Sequence, residues 1–145
     1  MKVRFLIAAP DADSLDLYRS LLQSALKLLP LHVETAFASS RDAVSRAVGA
    51  HLHDIVMLDW ELAGPDTPDF LRSLVALQPG LRTIVVMPLQ LRQYRQCLWE
   101  AGVCVSLPKE NLDQEWMLSI LCLITRAMDR EALARQDARH ERTYA

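Results

Sequence analysis

The amino-acid sequence predicts one α/β domain built around a parallel sheet, and three observations support this prediction. Short apolar runs alternate along the chain with segments whose apolar residues recur at helical spacing. Most of these runs are continuously apolar, which is typical of parallel strands that are buried on both faces. The chain has 145 residues and a formal net charge of −2, a size that suits a single domain with a substantial core.

The first strand, the first helix and the second strand follow from their boundaries. An apolar run at 3–9 ends at Pro10, and residues 11–14 offer several N-caps for the helix that follows. Pro30 stops this helix after its apolar stripe, which consists of Leu15, Tyr18, Leu22, Ala25 and Leu29. Residues 32–37 alternate between outward and inward side chains, which predicts a half-buried strand at an edge of the sheet.

The second helix, the third strand and the third helix come next along the chain. Ser39 with Asp42 resembles a capping box, which predicts a helix that begins there and ends near residue 50. The apolar run at 53–59 predicts a buried strand that ends on the carboxylate of Asp59. After a loop rich in glycine, proline and aspartate, residues 69–77 place their large apolar side chains on one face of a helix.

The last two strands and helices complete the alternation. Residues 83–87 predict a buried strand that stops at Pro88. A helical stripe with Gly102 as its C-cap predicts the fourth helix through Leu91, Tyr94, Leu98 and Ala101. Residues 103–107 predict the fifth strand, and Asn111 is the predicted N-cap of a long final helix.

Five strand–helix units predict a flavodoxin-like (βα)₅ fold, a doubly wound parallel sheet in strand order 2-1-3-4-5 with an extended C-terminal helix. We expect residues 1–128 to form the domain and residues 129–145, where the sequence turns polar, to form a helical linker or tail. In such sheets, ligands bind in the crevice where the carboxyl ends of the strands meet. Those strand ends carry Ala9-Pro10, Asp59, Met87-Pro88 and Leu107-Pro108-Lys109.

Two of these strand ends carry charge, and the topology predicts that Asp59 and Lys109 approach each other across the crevice. An aspartate that attacks phosphorus, beside an ammonium that pairs with a phosphoryl oxygen, suits a phosphorylation site. The same two residues also suit a structural ion pair. The residues alone leave both interpretations open.

Two segments resemble bacterial response-regulator receiver domains. Residues 53–64, HDIVMLDWELAG, are similar to the family's phosphoacceptor strand and loop, which read roughly PDLVLLDxxLPG. Residues 100–103 with 107–109 are similar to its EAGA…LxK region, and the resemblance spans about residues 3–128. It implies that Asp59 is the phosphoacceptor and a metal ligand, and that Lys109 pairs with the phosphate. It also implies that the backbone carbonyl of Glu61 is a ligand of Mg²⁺.

The sequence departs from the receiver pattern at the positions that hold the metal and the switch. Ala9 and Pro10 stand where receivers carry an acidic pair that binds Mg²⁺. Met87 stands where receivers carry a serine or threonine that bonds the phosphoryl group, and Ser106 replaces the usual aromatic residue. Because Mg²⁺ prefers hard oxygen ligands, we expect its binding to be weakened, and no other cofactor is implied.

The resemblance implies a receiver-like signalling domain of a two-component phosphorelay, a phosphoprotein that accepts a phosphoryl group on Asp59 if it is active and regulates a partner or output domain. We expect it to act by association and not as an enzyme. The alternative is a phosphorylation-independent pseudo-receiver that serves as a dimerisation or docking module. A remote alternative is a small flavodoxin-like FMN-binding protein, although the acidic loop at 10–14 would repel a phosphate.

The partners that the resemblance implies are a histidine kinase or phosphotransfer protein, a C-terminal output or sensor module beyond this chain, and a second copy in a homodimer. No basic stripe marks a surface for direct nucleic-acid binding. No apolar run is long enough to span a membrane, so no membrane contact is expected. The three cysteines have no metal-binding spacing, which suits a reduced, cytoplasmic protein.

Overall fold

A computed structural model describes residues 2–144 and confirms the predicted fold class. Five parallel strands form one sheet in the order β2-β1-β3-β4-β5. The strands are β1 (Lys2–Ala8), β2 (His32–Ala38), β3 (Ile55–Asp59), β4 (Arg82–Met87) and β5 (Val105–Pro108). The helices are α1 (Ala12–Leu26), α2 (Arg41–Gly49), α3 (Thr67–Leu77), α4 (Arg95–Glu100) and α5 (Gln114–Tyr144).

The core consists of two apolar layers, one on each face of the sheet. The fully buried strand β3 serves both layers, because alternate side chains point to opposite faces: Val56 and Leu58 to one, Ile55 and Met57 to the other. Helices α1 and α5 cover the Met57 face, and helices α2, α3 and α4 cover the Leu58 face. Burial on both faces explains why β3 is apolar up to Asp59.

The final helix starts later than the sequence predicts. Asn111 is not its N-cap, since it ends a 3₁₀ turn that follows β5. The cap is Asp113, whose Oδ1 accepts a hydrogen bond from the backbone N–H of Trp116 at 2.9 Å. Met117 N–H then bonds to the Asp113 carbonyl at 3.1 Å, which is the first bond of the helical ladder.

The second helix is also capped by a neighbour of the predicted residue. Ser39 is not the cap. Ser40 has extended backbone angles, and its hydroxyl accepts a hydrogen bond from Ala43 N–H at 3.1 Å. A serine one residue along meets the same requirement for a short side-chain acceptor in front of the helix. The predicted partner, Asp42, stays in the first turn, where its negative charge favours the helix amino terminus.

The fourth helix is shorter than its apolar stripe predicts. A 3₁₀ segment at Leu89–Tyr94 precedes α4, and the backbone of Leu91 (φ −96°, ψ 17°) leaves the helical region within it. The stripe still packs inward, because 3₁₀ and α geometries both return to the same side after three or four residues. The C-cap is Ala101 and not the predicted Gly102, which comes next and ends the helix with a φ of 97°, a left-handed conformation that favours glycine.

Helix α5 continues without a break from the packed domain into the segment at 129–144. One face of the helix, which includes Met117, Ile120, Leu121 and Ile124, is buried up to Met128, and most side chains beyond that residue are exposed. The division of the chain at 128 therefore coincides with a change in burial and not with the end of a helix. Residue 145 lies outside the described residues. Within residues 2–144, no helix combines the length and the apolar character that a membrane crossing requires.

We predict that Asp113→Ala lowers the free energy of unfolding by about 1 kcal/mol, because the N–H of Trp116 loses its capping acceptor. Urea denaturation followed by circular dichroism measures this change. Asn111→Ala is the matched control, since Asn111 makes no capping bond to α5. An equal loss in both variants would contradict the assignment of the cap.

Candidate functional site

Asp59 lies at the carboxyl end of the central strand β3, and the residue is only 1% exposed. The register of the sheet places it beside Val86 of β4 and just beyond Ala8 of β1. The ends of β1, β4 and β5 therefore surround it, as the predicted topology requires.

Three donors from the chain itself hold the Asp59 carboxylate. Lys109 Nζ donates to Oδ2 at 3.2 Å, and the hydroxyl of Tyr18 donates to the same oxygen. The other oxygen, Oδ1, accepts a hydrogen bond from the backbone N–H of Glu61 at 2.8 Å. The structure thus brings Asp59 and Lys109 together, as their strand positions predict, and adds a tyrosine to the pair.

The apolar periodicity of the sequence gave no sign that Tyr18 belongs to this site. It placed Tyr18 only in the apolar stripe of α1, and the residue is fully buried there. Burial raises the pKa of the Tyr18 phenol well above its ordinary value, and the hydrogen bond to Asp59 raises this pKa further. One signal was available in the sequence: Tyr18 is the single phenol in an otherwise aliphatic stripe. A buried tyrosine hydroxyl usually needs a hydrogen-bond partner, which points to a polar group nearby.

Lys109 also connects Asp59 to the start of α1. Its Nζ donates to Ser14 Oγ at 3.2 Å, and Ser14 Oγ donates to Asp11 Oδ2 at 3.1 Å. Asp11 is the N-cap of α1, and its Oδ1 accepts from Ser14 N–H at 2.8 Å. This backbone hydrogen bond is the main cause that holds the pKa of Asp11 below its usual value. Asp11 therefore serves the helix and does not reach Asp59 directly.

The residues present do not fit a Mg²⁺ ion. Ala9 and Pro10 bring no carboxylate to the crevice, and both oxygens of Asp59 already accept hydrogen bonds from the protein. The backbone N–H of Glu61, the predicted carbonyl ligand, donates to Asp59 Oδ1. Within residues 2–144, no group of three His, Cys, Asp or Glu side chains could hold a metal ion. A magnesium site here would lack the oxygen ligands that this ion requires.

The two switch positions are occupied by static contacts. Met87, the last residue of β4, is 3% exposed and packs in the core layer that contains Leu58. Ser106 accepts a hydrogen bond from Arg95 Nε at 3.2 Å, which ties α4 to β5. The carboxylate of Glu110 accepts from Leu89 N–H at 2.9 Å and joins the loops that follow β4 and β5. These contacts join α4 to β5 and the loop after β4 to the loop after β5.

Solved structures of receiver domains resemble this chain closely in shape. A receiver domain from Methanospirillum hungatei superposes with a TM-score of 0.73 over 90% of this chain and 99% of its own, at 18% identity. A second match is the receiver domain of a sensor histidine kinase from Pseudomonas aeruginosa, which was solved with magnesium in its active-site cleft. It superposes with a TM-score of 0.66 over 83% of this chain and 95% of its own, at 16% identity. The chain has the fold of a response-regulator receiver domain.

The receiver fold also occurs in a protein assigned to pilus assembly in Burkholderia thailandensis. It gives a TM-score of 0.70 over 86% of this chain and 98% of its own, at 22% identity. No protein-family model and no curated protein sequence matches the chain. The shared fold places Asp59 at the carboxyl end of the third strand, and the roles of Asp59, Lys109 and Glu61 remain predictions.

We predict that Tyr18→Phe lowers the free energy of unfolding by about 2 kcal/mol, because Asp59 loses a buried hydrogen bond to its charged oxygen. Chemical denaturation measures the change. Tyr94→Phe is the control, because the Tyr94 hydroxyl bonds to no other described residue, and it should shift stability by less than about 0.5 kcal/mol. Equal effects in the two variants would mean that the Tyr18–Asp59 bond contributes nothing.

The raised pKa of Tyr18 predicts a loss of stability in alkali. Above its ordinary pKa of 10.0, the unfolded phenol releases its proton while the folded phenol keeps it. Each pH unit above 10.0 should therefore lower the free energy of unfolding by about 1.4 kcal/mol more in the parent than in Tyr18→Phe. Denaturation curves of both proteins between pH 9 and about 11.5 test this. Parallel pH profiles would exclude a buried, protonated Tyr18.

Proposed function

We propose that this chain is a receiver-type signalling module that works without phosphorylation and acts by docking to a partner protein, not by turnover. One observation carries the proposal: the chain's own donors occupy both oxygens of Asp59, while Ala9 and Pro10, at the end of β1, supply no carboxylate beside it. The geometry therefore favours the pseudo-receiver alternative over a phosphoryl acceptor.

The physical argument concerns the charge that phosphoryl transfer requires. The transferring group carries negative charge that positioned cations must stabilise. Lys109 is the cation that contacts Asp59, and its Nζ already bonds to Ser14 as well. Without a metal, transition-state stabilisation worth several kcal/mol is absent. The attacking oxygen would also have to exchange its hydrogen bond with Tyr18.

The surface around α4, β5 and α5 supports the docking role. Trp99 on α4 is 66% exposed, and Arg95, one turn earlier on the same flank, bonds to Ser106 of β5. Trp116 and Leu123 on α5 are 49% and 63% exposed. Both lie about half a turn around α5 from Gln114, whose side chain bonds to Ser24 of α1. Exposed tryptophans are enriched among the residues that dominate binding at protein interfaces.

The partners that we propose for this face are an output or sensor module, or a second copy of the chain. The resemblance in fold to a pilus assembly protein and to the receiver domain of a sensor kinase shows that receiver folds occur in both settings. An FMN-binding role finds no support, since the loop after β1 carries Asp11 and Asp13. The Asp59–Lys109 pair favours the second candidate, a phosphorelay receiver served by a histidine kinase or phosphotransfer protein.

Incubation with Mg²⁺ and a small acyl-phosphate donor separates the two candidates. We predict that the intact mass of the parent stays unchanged, because no metal site assembles beside Asp59. Asp59→Asn is the matched variant, and an active receiver domain in the same tube verifies the reagents. A stoichiometric phosphoryl adduct on the parent that is absent from Asp59→Asn would establish phosphorylation and overturn the proposal.

A further inference from the structure

A polar cleft lies at the opposite end of the sheet from Asp59. It has a volume of about 310 Å³. Its lining includes Gln78 in the turn before β4, Arg82 at the start of β4, and Glu131 and Arg135 of α5. This volume is at the lower end of the range for small-molecule sites. The cleft is separate from the crevice, so its role does not depend on the proposed function.

Two polar atoms of the cleft residues are buried without a partner. Gln78 donates through Nε2 to the His53 carbonyl at 2.8 Å, and its Oε1 has no hydrogen-bond donor. Arg82 pairs with the carboxylate of Glu131, and its Nε has no acceptor. Buried polar groups are nearly always satisfied in native proteins. Both atoms are closed to solvent, so a molecule with one acceptor and one donor satisfies them only once the side chains of Gln78 and Arg82 turn toward the cleft.

The charge that remains unmatched in the cleft is positive. Asp54 is neutralised by Arg4 at 3.1 Å, and Glu131 is neutralised by Arg82. Arg135 lines the cleft and has no charged partner among residues 2–144. A guanidinium with free donors is suited to carboxylate or phosphate groups, which it can bind in a bidentate way.

We propose that this cleft binds a small anion, a carboxylate or phosphate that also carries a hydrogen-bond donor. The anion would bridge Arg82 of β4 and Arg135 of α5, and its donor would bond to Oε1 of Gln78. Since Glu131 already holds Arg82, the anion competes with Glu131 for that guanidinium. Binding therefore links the sheet to the exposed segment of α5 that begins after Met128.

Titration of the full chain with inorganic phosphate, malate and acetate tests the site. Nitrogen-detected NMR should show saturable shifts of the Gln78 amide and Arg82 Nε with phosphate or malate, and weaker binding of acetate, which lacks a donor. Arg135→Gln should weaken binding about tenfold or more, because it removes a charge-assisted hydrogen bond. Glu131→Gln should tighten binding, because it releases Arg82.

Arg139→Gln is the matched control, since it removes the same charge from the same helix outside the cleft. It should change the dissociation constant by less than about twofold. Equal weakening by Arg135→Gln and Arg139→Gln would mean general charge attraction only and would overturn the site. An absence of saturable shifts with all three anions would mean that the cleft holds only water. Circular dichroism verifies that each variant keeps its helices.

Discussion

The buried carboxylate of Asp59 is the constraint on which the structure at the carboxyl ends of the strands depends. A charge that is 1% exposed must be matched by hydrogen bonds and by an opposite charge, because an unpaired buried ion is strongly destabilising. Its donors come from three separate places: Tyr18 on α1, Lys109 after β5 and the N–H of Glu61 after β3. These elements meet only when the sheet has formed, so one carboxylate ties them together.

The departures from the receiver pattern are consistent with one another in these electrostatic terms. A receiver with an acidic pair gathers three carboxylates, and a divalent cation balances them. With Ala9 and Pro10 in those positions, the carboxylate of Asp59 pairs with the single ammonium of Lys109, which balances its charge. Met87, at the end of β4, is buried and has no hydrogen-bond donor.

The sequence predicts the features of the fold that follow from hydrophobic periodicity and from the residues at the ends of the strands. The alternation of apolar runs determined the strand order, and the strand ends brought Asp59 to Lys109. The role of Tyr18 could not be predicted, since periodicity shows that a side chain is buried but not which residue 41 positions away it will meet. Asn111 and Asp113 are equally good N-caps by type, and only the path of the turn after β5 selects Asp113.

The Asp59–Lys109 pair has a structural explanation that needs no phosphate. Removal of Lys109 would leave Asp59 buried and short of positive charge, and such losses typically cost about 3–5 kcal/mol. Lys109 itself is only partly exposed, and its Nζ lies 5.9 Å from the centre of the Tyr18 ring, so it also contributes to packing over the phenol. Lys109 is therefore expected to stabilise the fold through its pair with Asp59. The hydrogen bond from Tyr18 to the same carboxylate oxygen adds to this structural role.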